Sequence, residues 1–129
     1  MRQFTVAEAN DLLPLLTPAL EDIRRIHGRI LEAVQAVREF EQRAASNGHG
    51  ENSRVFDPEL DTAKLQAEME QRLRYLHGIG VVLKDIEHGI LDFPTRMHGR
   101  DVYLCWRLGE ESVGYWHDIE AGFAGRQPL

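Results

Sequence analysis

An apolar seam opens the chain and constrains everything after it. Ala9, Leu13, Leu16, Leu20, Ile23, His27, Ile30, Val34 and Val37 follow one another in alternating steps of four and three. That spacing holds side chains on one face of an α-helix, and Leu12, Ile26 and Leu31 widen the stripe to core width. Thr5 and Glu8 frame the start as a capping box, each side chain accepting from the other's backbone amide, with Phe4 placed as a hydrophobic staple. Pro14 and Pro18 interrupt the seam. Each lacks the N–H of a helix bond and crowds the turn before it. The pattern therefore predicts a kink, or a short helix to about Leu13 and a longer one restarting near Pro18 with Thr17 as its cap. The helical segment is expected to end near Ala45.

A stripe of that length must be covered. Residues 46–54 are polar and rich in Gly and Asn, which predicts a mobile loop. Asp57-Pro58-Glu59 then restarts a helix, with Asp57 as cap and Pro58 in the first turn. Leu60, Leu65, Met69, Leu73 and Leu76, with the small Ala63 and Ala67, form its apolar face, and Gly78 and Gly80 end it. Two amphipathic helices joined by one loop pack antiparallel.

The periodicity changes at Ile79. Residues 79–85 are short, apolar and β-branched. Gly89 to Phe93 is a second strand candidate, stopped by Pro94. His98-Gly99-Arg100 reads as a turn. Asp101 to Leu108 alternates cleanly, with Val102, Leu104, Trp106 and Leu108 on one face and Tyr103, Cys105 and Arg107 on the other. Gly109 to Glu111 reads as a hairpin turn, with residues 112–117 returning. Asp118 to Ala121 is compatible with a helix, and the remainder is irregular. The expected fold is α+β in one domain, residues 1–129. A long antiparallel helical hairpin (1–78) precedes a small, mostly antiparallel sheet with a short C-terminal helix or tail (79–129). The alternative is a nearly all-α hairpin carrying one β-hairpin.

Composition excludes several functions. Formal net charge is -6, shared equally between residues 1–78 and 79–129, so no basic patch invites a phosphate backbone and no nucleic acid is expected. No apolar run approaches the ~18 residues of a membrane span, and no signal peptide opens the chain. A single cysteine, Cys105, can form neither an internal disulfide nor a Cys-rich zinc site. A cytoplasmic protein without membrane contact is the expectation.

Phosphate loops, His-Glu-x-x-His and nucleophile elbows are all missing. Ionisable and aromatic residues instead crowd the last third: Lys84, Asp85, Glu87, His88, Asp92, Arg96, Arg107, His117, Asp118, Glu120 and Arg126, among Tyr103, Trp106, Tyr115, Trp116 and Phe123. The candidate binding residues are Asp85, Asp92, Trp106, Arg107, Trp116, His117, Glu120 and Arg126. His117 and Glu120 stand three apart, so on a helix they share a face and can hold one metal, with Asp85, Asp92 or His88 completing the set. Asp85, Asp92 and Glu120 can pair as acid and base. Arg96, Arg107 and Arg126 can clamp an anion. Against each stands the plain reading that acids, arginines and His117 pair among themselves, and that the aromatics fill the core. Cys105 reads as a small strand residue. His27 reads as a seam-edge histidine, or as a pH-sensitive one. The sequence requires no cofactor.

Val102-Tyr-Leu-Cys-Trp-Arg-Leu-Gly-Glu110 and Tyr115-Trp-His-Asp-Ile-Glu-Ala-Gly-Phe-Ala-Gly-Arg-Gln-Pro128, together with Phe4 to Pro14, Gly80 to Asp85 and Leu91 to Pro94, resemble a bacterial family of small uncharacterised proteins, a domain of unknown function. The resemblance spans nearly the whole chain except the loop from Ser46 to Arg54, and it implies no activity, cofactor or catalytic residue. Two functional readings remain open. The seam exceeds what one partner helix of about 20 residues covers, which points to a structural or interaction protein that dimerises through its helical hairpin as a coiled-coil-like bundle. The crowded C-terminal third points to a small enzyme or a ligand- or metal-binding protein.

Overall fold

The reciprocal cap at the start of the seam forms as the residues dictate. The Thr5 amide donates to Glu8 Oε1 at 2.9 Å and the Glu8 amide to Thr5 Oγ1 at 3.0 Å. Helix α1 then runs Val6–Asn47 in a computed structural model that describes residues 2–47 and 58–129. It passes through Pro14 and Pro18 without a break, so the expected restart near Pro18 does not occur. Packing overrides the two lost bonds: Leu13, Leu16, Leu20 and Ile23 lie on either side of the prolines and are all buried. Each such side chain contributes roughly 1.5–3 kcal/mol, comparable with the cost of an interior proline.

Helix α2 spans Pro58–Ile79, starting where the proline signal placed it. Its Asp57 cap and most of the loop at 46–54 lie outside the described residues. Leu65, Met69 and Leu76 are buried against α1, whereas Ala63 and Ala67 face solvent, so the apolar face is narrower than expected. Arg72 Nε donates to Asp22 Oδ2 at 2.6 Å and fixes the antiparallel pairing. The hydrogen bonds from Arg72 and then Arg25 hold the Asp22 carboxyl below the usual carboxylate range. With 42 residues against 22, α1 is about 63 Å long and α2 about 33 Å. Burial of the seam fades accordingly. Leu31, Val34 and Phe40 are 56%, 38% and 50% exposed.

The Gly80 amide closes α2 by donating to the Leu76 and His77 carbonyls. Five strands follow in a sequential meander: β1 (Val82–Asp85), β2 (Ile90–Met97), β3 (Arg100–Arg107), β4 (Tyr115–Asp118) and β5 (Gln127–Pro128). Every neighbouring pair is antiparallel. The fold is therefore α+β with a full sheet rather than a lone hairpin. β2 does not stop at Pro94. Pairing with β1 ends at Asp92, so beyond it that side of β2 is an edge where a missing N–H costs little. The Pro94 carbonyl there accepts from the Phe4 amide at 2.8 Å, and Phe4 meets Phe93 edge-on. His98 (φ 55) and Gly99 (φ 77) form the two-residue turn whose positive φ values match the twist of a hairpin. The β3–β4 connection is longer than the expected turn at 109–111. It is anchored by the Val113 amide donating to Asn10 Oδ1 at 2.8 Å and by Trp106 Nε1 donating to the Glu110 carbonyl at 3.0 Å. Asp118 ends β4 and residues 119–121 turn rather than form a helix, and a 3-10 turn (Phe123–Gly125) leads into β5.

A candidate metal centre on the far face of the sheet

Alternation along β2, β3 and β4 divides the sheet into two faces. Leu91, Phe93, Leu104, Trp106 and Trp116 join Leu13, Leu16 and Leu20 in the core. The intervening residues, Asp92, Tyr103, Cys105 and His117, point to the opposite face. Asp92 stands directly across from Cys105, and Tyr103 across from His117. Three adjacent strands thus bring one carboxylate, one thiol and one imidazole together, with one ligand atom of each lying within 4.8 Å of the others. Asp92 and His117 are each 1% exposed and Cys105 is 0% exposed.

The hydrogen bonds orient these groups. His117 Nδ1 lies 2.8 Å from the Asp118 carbonyl. A carbonyl only accepts, so Nδ1 donates to it; the 3.0 Å approach of Nε2 to Asp92 Oδ2 in the metal-free protein then requires a second proton between those two atoms, the proton that a metal ion would displace. That is the arrangement of a metal-ligating histidine whose outer nitrogen is fixed by a backbone oxygen. Asp92 Oδ2 also meets Lys84 Nζ at 3.4 Å, and Lys84 sits 4.5 Å over the Tyr103 ring. Asp92 Oδ1 is buried and has no hydrogen-bond partner. A buried carboxylate oxygen left bare costs on the order of 1–3 kcal/mol or more, so its retention calls for a reason. Burial pushes the Cys105 thiol up to about 12, with the nearby Asp92 charge adding to the effect. Cys105 is therefore a poor nucleophile, and its thiolate needs a cation to form. On its other side Arg126 approaches the sulfur at 3.9 Å, stacks on Tyr115 and Phe123, and pairs with Glu110.

Of the residues singled out from sequence, the fold brings Asp92 and His117 into contact, sets Lys84 on Asp92 and Tyr103 against the His117 ring, and places Arg126 on the far side of Cys105. The other candidates are elsewhere. Asp85 accepts from the His88 amide and pairs with its ring in the β1–β2 turn, which lowers the Asp85 carboxyl. Trp106 and Trp116 belong to the core. Arg107 is exposed, 5.9 Å over Phe123. Glu120 is exposed in the turn after β4, so the helical His117–Glu120 pairing is not present: His117 is a strand residue. Sequence reasoning passed over Cys105, although it shares the polar face of β3 with Tyr103. Nitrogen, sulfur and carboxylate oxygen within one cluster are the donor set of zinc rather than of magnesium or calcium. No curated protein and no solved structure matches the chain. One family of uncharacterized conserved proteins does, over residues 2–129, and the chain belongs to it: DUF2203.

Proposed function

We propose that this is a metal-binding protein of the cytoplasm whose centre takes one zinc-class divalent ion through the Asp92 carboxylate, the Cys105 thiolate and His117 Nε2. The observation that carries the reading is the bare, buried Asp92 Oδ1 inside a cluster that already holds the two other ligand types. Lys84 supplies the compensating positive charge in the metal-free protein. Its side chain is 39% exposed, and its flexible stem can withdraw to solvent when an ion enters. Three protein ligands leave a fourth position for water or substrate, the ligand count of catalytic rather than closed structural zinc sites. A lone unoxidised thiol suits a reducing compartment.

Titration of chelator-treated protein with Co²⁺ tests this. One equivalent should raise a thiolate-to-cobalt charge-transfer band in the near ultraviolet, displaced by Zn²⁺ and missing in Cys105→Ser and His117→Ala. Folded protein that takes up neither ion, or a band that survives Cys105→Ser, overturns it.

A second reading rests on a separate observation. Leu31, Val34 and Phe40 leave an exposed apolar band on the half of α1 that outruns α2. Arg29, Arg38 and Arg43 alternate there with Glu32, Glu39 and Glu41. In an antiparallel copy related by a two-fold axis at Gln35, Arg29 falls opposite Glu41 and Glu32 opposite Arg38, which favours homodimerisation through α1. Sedimentation equilibrium should give a dimer that Leu31→Glu/Phe40→Glu converts to monomer. A wild-type monomer at millimolar concentration refutes it.

A further inference from the structure

The cluster of Asp92, Cys105 and His117 is covered unequally on its two sides. Toward β5 it is closed by Arg126, whose guanidinium lies 3.8 Å from the Tyr115 ring centre and 4.3 Å from that of Phe123. That side chain is 12% exposed, and Glu110 already neutralises its charge. Toward β1 the cover is Lys84, which is more open at 39%. Asp92 is its sole ion-pair partner among the described residues. The bookkeeping of charge is uneven as well. A divalent ion is cancelled by the Asp92 carboxylate and the Cys105 thiolate, and a ligating His117 is neutral. Lys84, displaced from Asp92, then carries the unbalanced charge.

We propose, resting on the metal reading above, that the fourth coordination position opens toward Lys84 and takes the anion of a small monocarboxylic acid. One carboxylate oxygen binds the ion and the other accepts from the Lys84 ammonium. Lys84 Nζ lies 3.4 Å from Asp92 Oδ2, and a zinc-class ion sits about 2 Å from such an oxygen, so ion and ammonium stand within about 5–6 Å of each other. A single carboxylate bridges that span. It brings two acceptor atoms and one negative charge, which matches one open metal position and one unbalanced ammonium. A halide has only one atom to share between them. A dianion such as phosphate leaves net negative charge beside ligands that are at most 1% exposed. A neutral amide leaves the ammonium unbalanced. The Tyr103 ring, 4.5 Å beneath Lys84 Nζ and 5.6 Å from the His117 ring, walls the same opening and gives the acid's carbon chain a surface. Lys84 thus exchanges partners, holding Asp92 in the metal-free protein and the ligand in the loaded one.

The test is a titration of the full chain, loaded with one equivalent of Co²⁺, with acetate and with acetamide as the uncharged control of the same shape, at constant ionic strength. Acetate should shift the visible d–d bands saturably while the thiolate charge-transfer band persists, and acetamide should leave both in place. Lys84→Met should weaken acetate at least tenfold, yet bind Co²⁺ as tightly as the wild type or tighter, because the competing ammonium is gone. Lys84→Arg keeps the charge and should hold acetate within about threefold of the wild type. A protein that takes up no Co²⁺ overturns the metal reading and this proposal together. A normal charge-transfer band with no saturable response to acetate, an equal response to acetamide, or equal acetate affinity in Lys84→Met and wild type overturns the carboxylate site alone. Weaker Co²⁺ uptake by Lys84→Met than by wild type overturns the exchange of partners.

Discussion

Removing His117 offers the sharpest test of how the cluster is held. In the metal-free protein, Asp92 keeps a single ring contact at 3.0 Å and a Lys84 contact at 3.4 Å, with Oδ1 already bare. His117→Ala deletes the ring and leaves a fully buried carboxylate facing Lys84 and the weak thiol donor of Cys105. Breaking a buried pair from one side costs about 3–5 kcal/mol. Asp92→Ala/His117→Ala removes more atoms but orphans no charge, so it should be less destabilised than the sum of the two single variants by about 2–3 kcal/mol. Urea unfolding in the presence of chelator, followed by tryptophan fluorescence and far-ultraviolet dichroism, measures both. With a slope of ~2 kcal/mol per molar, the His117→Ala midpoint should fall by roughly 2 M. Zinc at a hundred times its dissociation constant should then add about 2.7 kcal/mol to the wild type and nothing to the variant. A His117→Ala cost under about 1 kcal/mol, or strict additivity in the double variant, refutes the reasoning. Either would mean that water already solvates Asp92.

Three further outcomes follow from local geometry. Cys105 should be inert to an aromatic disulfide reagent at about pH 8 in the native metal-free protein and fully reactive once unfolded, since its thiolate is scarcely populated there. Asp22→Asn should cost about 0.5–1 kcal/mol near neutral pH, as expected for a half-exposed ion pair. Because the folded Asp22 carboxyl titrates below its ordinary value of 3.8, that advantage is full above this pH, and the gap between wild type and variant should close as pH falls below it in urea-unfolding series. Gly89→Ala places a Cβ 2.7 Å from Leu108 Cβ at φ +66, so its thermal unfolding should report a loss of about 1–3 kcal/mol. An unchanged midpoint would mean that the β1–β2 turn yields freely.

The helical half was largely readable because its signals are local. The Thr5–Glu8 cap, the seam from Ala9 to Ile26 and the proline start of α2 all depend on residues within one or two turns. What misled was weighing Pro14 and Pro18 by their own cost alone, when Leu16 and Leu20 are buried beside them. The sheet was readable by strand but not by depth. A two-residue turn at His98–Gly99 sets Met97 opposite Arg100 and, five residues back along each strand, Asp92 opposite Cys105. Ending the second strand before Pro94 broke that count and hid the pairing. His117 was beyond such arithmetic. The β3–β4 connection is irregular, held by Asn10 from the other end of the chain, so no turn rule gives its register. Cys105 escaped notice because counting cysteines screens for sulfur-rich sites and not for one sulfur among mixed donors.

The order of the meander has a consequence for how the chain reaches its native state. Each strand pairs with its immediate successor, and every residue of the Asp92–Cys105–His117 cluster comes from within that run. Such short loops close quickly. By contrast, the Phe4–Pro94 bond joins positions ninety apart. Folding should therefore proceed in two stages: the sheet forms with its ligand cluster in place, and the long α1 then docks, with Phe4 settling onto Phe93 as the closing event. Substitutions at Phe4 should accelerate unfolding and leave the refolding rate almost untouched, whereas substitutions in the His98–Gly99 turn should slow refolding.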